Sequence, residues 1–217
     1  MKEDLIVEAV NAAKEESKER KFLESVELAI NLKEVDLSDP KNRITEEVAL
    51  PHGRGKPIKV CVIGSEETRF KVKDKVDFVF GPEELNKFGD DKKSFKKIVN
   101  QIDYFIADTS LMPIVGRRLG QVLGPRGKMP KPLTPGQDVE GLISTLRKSV
   151  RIRTRDKITF HVPVGTKEMD NRELAENIMA ILKRVMERLE KGSGNISSVY
   201  VKTTMGKPVK LRGESLS

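Results

Sequence analysis

The sequence predicts an α/β protein of two domains, an α+β domain made from both chain ends with a Rossmann-like α/β domain inserted between them. Three observations carry this. Apolar residues alternate with polar ones near both ends, at Val26, Leu28, Ile30 and Leu32 and again at Phe160, Val162 and Val164, the pattern of strands with one covered face. The middle instead shows short continuous apolar runs separated by helical patterns, as in a sheet covered on both faces. Residues 51–57 carry two prolines and two glycines in seven positions, which reads as a linker. The expected boundaries are 1–58 with 157–217 for the discontinuous domain, and 59–156 for the inserted one.

Taken in order, Leu5, Ala9, Ala12 and Ala13 mark one face of a first helix, with Lys and Glu covering the other. From Phe22 the period becomes two, so that Ser25, Glu27, Ala29 and Asn31 point away from Val26, Leu28, Ile30 and Leu32. Ile44, Val48 and Leu50 suggest a second strand ending at the linker. Residues 58–63, 76–80 and 104–107 are apolar-rich strands, with helical candidates at 83–88 and 95–101 between them.

Residues 109–137 hold no acid, five basic residues, five glycines and five of the 11 prolines. So many breakers predict a largely irregular, turn-rich surface element, either facing RNA or simply a solvated basic loop. Residues 142–148 read as helix. Arg151, Arg153, Arg155 and Lys157 alternate, placing four cations on one face if the segment is extended. Ile158, Phe160, Val162 and Val164 line one strand face, leaving Thr159 and His161 on the other. Asp170 and Glu173 form a candidate capping box. It opens a helix with the stripe Leu174, Ile178, Ile181, Val185 and Leu189, ended by Gly192. Val199, Val201 and Thr203 form a closing strand.

With 41 Lys and Arg against 33 Asp and Glu, the net charge is +8 and the pI near 9.5. That balance favours a polyanionic partner, although charge alone fits an ordinary solvated basic face equally well. The lone Cys61, inside Val60-Cys61-Val62-Ile63, reads as a packing thiol and permits no internal disulfide. His52 and His161 are isolated, so no metal cluster is expected. The N-terminus begins an acidic helical pattern and not an apolar signal segment, and no stretch approaches the ~20 apolar residues that span a bilayer. A cytoplasmic location follows as an expectation, with no membrane contact.

Catalytic patterns fail on inspection. Dinucleotide binding needs three spaced glycines after a strand, but Ile63 is followed by Gly64-Ser65-Glu66-Glu67, whose two acids repel phosphate. Gly124-Pro125-Arg126-Gly127-Lys128 lacks both the earlier glycine of a phosphate loop, where Val122 stands, and its Ser or Thr, where Met129 stands. Neither histidine sits in a pattern suggesting a Ser or Cys nucleophile. No enzyme activity, cofactor or metal is therefore expected. The outward sheet face carrying Ser25, Glu27 and His161, with the turn Thr203-Thr204-Met205-Gly206-Lys207, offers short hydrogen-bonding groups, a flexible apolar side chain and a glycine. That mixture suits an RNA minor groove, read by shape and 2′-hydroxyls, and it also suits an ordinary polar sheet face.

Several segments resemble one family. Lys21-Phe22-x-x-Ser25-Val26-Glu27-Leu28-x-x-Asn31-Leu32 resembles the opening motif of the ribosomal protein at the base of the large-subunit lateral stalk, the "L one" family. Leu50-Pro51-His52-Gly53-Arg54-Gly55-Lys56 resembles its first interdomain hinge. The run from Gly116-Arg117-Arg118-Leu119-Gly120 through Gly124-Pro125-Arg126-Gly127-Lys128-Met129-Pro130 resembles its signature, and Thr203-Thr204-Met205-Gly206 its terminal RNA-contact motif. The matches run in family order over nearly the whole chain.

The resemblance implies a structural, non-catalytic protein whose end-built domain grips large-subunit ribosomal RNA at the mobile stalk, beside the site where deacylated tRNA leaves. It also implies help in releasing that tRNA, and repression of the protein's own messenger through a similar RNA structure in the leader or coding region. The free protein is expected to be monomeric. The contact set it implies is Lys21, Phe22, Ser25, Glu27, Ser198, Thr203, Thr204, Met205 and Gly206; His161 joins from the strand-face argument. Lys128 and Lys131 stand where bacterial relatives usually have Leu and Asn, and the termini are short, features that resemble the archaeal branch. Rival readings are a nucleotide-using enzyme with a Rossmann-like domain and a non-ribosomal RNA-binding adaptor.

Overall fold

A computed structural model describes residues 3–211. These form a mixed α/β fold that clusters into two compact units: the described residues up to Lys56 together with those from Lys148 on, and residues Pro57–Arg147.

The first unit is built on an antiparallel sheet. Its central strand β1 (Ser25–Leu32) pairs on either side with β8 (Thr159–Thr166) and β9 (Ile196–Thr203), and β10 (Val209–Lys210) adds to the outer edge of β9. Helices α1 (Glu3–Glu15) and α7 (Asn171–Arg188) cover one face. Val26, Leu28, Ile30, Phe160, Val162, Val164, Val199 and Val201 meet the α7 stripe of Leu174, Ile178, Ile181 and Val185 in one core. A two-stranded antiparallel ribbon, β2 (Thr45–Ala49) with β7 (Ser149–Arg153), extends that core through Val48, Val150 and Ile152.

The second unit is a parallel sheet, β4 (Phe78–Phe80), β3 (Val60–Ile63), β5 (Tyr104–Asp108) and β6 (Lys131–Leu133) in that spatial order. Its continuous apolar strands are explained by two cores. Cys61, Ile63, Phe105 and Ala107 pack against α3 (Pro82–Asp90), α4 (Lys92–Gln101) and α5 (Met112–Leu123) through Leu85, Phe95, Val99, Val115 and Leu119. The alternate residues Val60, Val62, Tyr104 and Ile106 pack on the opposite face with Val72 of α2 (Glu66–Val72) and Ile143 and Leu146 of α6 (Val139–Lys148). Both faces are dry, so no polar alternation is left to see.

Several expectations need correction. Segment 109–137 contains the helix α5, because Val115, Leu119, Val122 and Leu123 recur at helical spacing and are buried; Pro113 lies in the first turn, where its missing N–H costs nothing. Only residues 124–130 and 134–137 are turn-rich, with strand β6 between them. Arg151 and Arg153 are in β7, but Arg155 has φ 50° in a turn, so four cations do not share a strand face. Ile158 is exposed, since β8 starts one residue later. Asp170 caps α7 by accepting from Arg172 N–H, whereas Glu173 turns toward His52 instead of closing a box. Residues 148–156, expected in the inserted domain, cluster with the first unit, where β7 pairs with β2, and residues 57–58, expected in the first, cluster with the second.

The Pro51–Gly55 stretch is not a free linker either. The buried Asn177 of α7 accepts from His52 N–H (3.1 Å) and donates to the carbonyls of Gly53 and Val164 (2.9 Å each). His52 Nε2 lies 2.7 Å from a Glu176 carboxylate oxygen. This stretch is a strap bound to the first unit.

Candidate nucleic-acid interface

One face of the antiparallel sheet carries no helix among the described residues, and its outward side chains lie in rows set by register. Glu27 sits between Pro163 and Lys202, Ala29 between His161 and Tyr200, and Asn31 between Thr159 and Ser198. The last row is internally bonded: Asn31 Nδ2 donates to Ser198 Oγ (2.8 Å) and Thr159 Oγ1 donates to Asn31 Oδ1 (2.7 Å).

At the other end of the sheet, the segment entering β1 is joined to the turn leaving β9. Ser25 N–H donates to Thr204 Oγ1 (3.1 Å), and Thr204 N–H donates to the Ser25 carbonyl (3.0 Å). Next to this pair the Glu24 side chain is only 2 % exposed. Its two oxygens accept from the Ser17 hydroxyl at 2.7 Å and the Met205 N–H at 3.0 Å. Lys167 Nζ donates to the same Ser17 hydroxyl (2.9 Å), and its N–H to the Glu24 carbonyl (3.0 Å). Burial pushes the Glu24 carboxyl up, but the bonds from Ser17 and Met205 and the charges of Lys167 and Arg20 outweigh it and hold the pKa below the ordinary value. Residues 17, 167 and 205 thus meet around Glu24, two of them bonded to its carboxylate.

Above this node the surface is open. Phe22 and Met205 are exposed (54 % and 61 %), two large apolar side chains next in sequence to Lys21 and Thr204. Cations rim it: Arg20 and Lys21 are exposed, Lys56 Nζ donates to Ser25 Oγ (2.8 Å), and Lys202 Nζ donates to the Thr204 carbonyl (2.8 Å). Gly206 is needed for its size. A Cβ there would lie 2.2 Å from Thr203 Oγ1.

Of the residues expected in the contact set, Ser25, Thr204, Met205 and Gly206 lie together at the joined strand ends, Lys21 and Phe22 are exposed in the segment leading into them, and half-buried Glu27 is in the next row. His161 is exposed one row further on. Ser198 lies at the opposite end of β9, five residues and about 17 Å from Thr203 along the strand. Thr203 departs from expectation: it ends β9 on the same side as Val199 and Val201, fully buried, and supports the turn from beneath. Glu24, Ser17, Lys56, Lys167 and Lys202 were not anticipated. Glu24 lies within the opening motif, but nothing in one sequence marks it as buried.

In the second unit, the turn after β3 is closed to phosphate, since Ser65 N–H donates to Asp108 (2.8 Å) with Glu66 and Glu67 alongside. The Cys61 thiol is buried and pushed up by that burial. Among the described residues no three His, Cys, Asp or Glu side chains are grouped to hold a metal ion, and no helix is long and apolar enough to cross a membrane.

Comparison with known proteins gives a consistent result. The model of the "Ribosomal protein L1p/L10e family" matches residues 13–207. The chain is 56% identical over 208 residues to the large ribosomal subunit protein uL1 of Picrophilus torridus, covering 96% of this chain and 97% of the relative. It is 57% identical over 206 residues to that of Thermoplasma volcanium, covering 95% of each. With that of Methanocella arvoryzae it shares 52% identity over 206 residues, covering 94% and 97%.

Proposed function

Because this chain belongs to the ribosomal protein L1p/L10e family, as an archaeal-type member, we propose that it is a structural, non-catalytic protein of the large ribosomal subunit in the cytoplasm, binding ribosomal RNA through residues 21–27 and 204–206. The observation that supports this reading is the Ser25–Thr204 junction beside the Glu24 node, which joins the segment entering β1 to the Met205 turn at a surface where Phe22 and Met205 are exposed among charged side chains. Such a surface complements a folded RNA by shape: apolar side chains lie along riboses and bases, and Ser25, Thr204 and Glu27 exchange hydrogen bonds with base edges and 2′-hydroxyls. The rim cations attract phosphates and set the salt dependence. Glu27 rejects a misplaced phosphate.

The RNA in question is that of the mobile stalk beside the tRNA exit site, where the protein assists departure of deacylated tRNA. The end-built unit is the main grip and the inserted unit a separate module. One surface that reads RNA shape accepts any RNA of that shape, so the same residues bind the protein's own messenger and repress its translation. The free protein is a monomer.

The test is filter binding to stalk ribosomal RNA, with the messenger segment and tRNA as competitors. Met205→Asp and Thr204→Val are each expected to weaken binding by about 1–3 kcal/mol, and Lys21→Ala to reduce the salt slope by roughly one. Wild-type affinity in both of the first two variants would remove this surface from the site.

A further inference from the structure

We propose that Lys56, at the end of the strap, is a specificity-determining contact of the RNA surface: its ammonium sets the Ser25 hydroxyl as an outward donor and reaches the same stretch of RNA itself. The inference rests on the reading of that surface given above and adds to it a residue from a third, distant part of the chain.

The hydrogen bonds leave little choice. Ser25 spends its backbone groups on Thr204, its N–H on Thr204 Oγ1 and its carbonyl on Thr204 N–H. Its hydroxyl accepts from Lys56 Nζ at 2.8 Å. A hydroxyl has one proton and two lone pairs. An ammonium is donor only, so the Ser25 proton must point away from Lys56. It then serves an acceptor on the ligand: a 2′-oxygen, a minor-groove base acceptor or a phosphate oxygen. An RNA group able only to donate finds one lone pair on Ser25 already occupied. Lys56 is exposed and keeps two further N–H donors for a neighbouring ribose or phosphate oxygen.

Position supports this. A lysine on a loose linker would lose much of its contact energy to ordering, but here the strap is bound. Asn177 holds His52 and Gly53. Gly55 has φ +65°, and a Cβ there would lie 2.7 Å from both Met169 Sδ and Thr166 Oγ1. Lys56 follows directly, held over the entrance to β1.

The experiment is a set of filter-binding titrations of the full chain against stalk ribosomal RNA over a range of salt, for wild type, Lys56→Met, Lys56→Arg, Ser25→Ala and the Lys56→Met/Ser25→Ala double variant. Thermal melts of each free protein confirm folding. Lys56→Met and Ser25→Ala are each expected to weaken binding roughly tenfold, the scale of one charge-assisted bond. The double variant should fall well short of the hundredfold product, because the two act through one bond. Arg, which also donates, should retain most of the affinity. If Ser25→Ala weakens binding while Lys56→Met leaves affinity and salt slope unchanged, this inference is wrong and the RNA surface stands. Fully multiplicative losses would make Lys56 an independent cation and overturn the positioning role. Wild-type affinity in both single variants would overturn this inference and take Ser25 out of the contact set, while the Met205 and Thr204 variants decide the surface itself.

Discussion

Replacing Glu24 probes the physical basis of the site most directly. Glu24 is 2 % exposed, and its carboxylate accepts from Ser17 Oγ and from Met205 N–H. Bonds to a charged group contribute about 1.5–3 kcal/mol each, against about 0.5–1.5 for neutral ones. Glu24→Gln keeps the shape but only one acceptor, which goes to Met205 N–H in a bond weaker by about 1 kcal/mol, while the Ser17 hydroxyl must turn to accept from the new amide; relief from burying a charge returns part of that loss. The expected net loss is about 1–2 kcal/mol, whereas Glu24→Ala, which leaves both Ser17 O–H and Met205 N–H without this acceptor, should cost about 2–5 kcal/mol. Amide exchange at Met205 and Thr204 reads this locally, whatever the unfolding order of the two units. Acid provides the control. The folded carboxyl lies below its ordinary value, so its contribution is complete above about pH 4.3 and disappears as the pH falls through the folded pKa. The gap between wild type and Glu24→Gln should therefore close on acidification. A gap of under 0.5 kcal/mol at neutral pH, or one unchanged down to pH 3, would refute the argument that charge organises this turn.

Three further outcomes are expected. Gly206→Ala should destabilise by about 1–3 kcal/mol through overpacking, since Thr203 Oγ1 lies 2.2 Å from the added carbon and a buried β-branched side chain has little room to turn; Thr203→Ala in the same chain should recover part of that in denaturant melts. Asn177→Leu should cost about 2–4 kcal/mol, because it removes the partners of His52 N–H and of the Gly53 and Val164 carbonyls; it should also weaken RNA binding by freeing the strap that carries Lys56. Cys61, fully buried with its thiol pushed up, should react with a thiol reagent at pH 8 far more slowly in the native protein than in denaturant. Equal rates would contradict its place in the second unit's core.

Periodicity is a local property, and what depends on it was legible in the sequence. The alternation from Val26 to Leu32 and from Phe160 to Val164 gave the half-covered sheet, and the unbroken runs around Val60 and Tyr104 gave the sheet covered on both sides, because the number of dry faces dictates which positions must be apolar. The residues proposed as contacts at 21–27 and 204–206 came from the resemblance of short motifs to one family, since periodicity alone marked only a polar sheet face. Glycine and proline counting failed at Met112–Leu123, where four buried apolar side chains outweigh Gly116 and Gly120. Tertiary structure alone decided which groups are dry and which distant atoms meet. Thr203 faces the core, Glu24 is a buried anchor for Ser17 and Met205, and Asn177 ties a proline- and glycine-rich segment into a strap that delivers Lys56 to Ser25. The reason is that a buried polar group must find its partners in space, and the chain order of 17, 24, 56, 167 and 205 holds no record of that meeting.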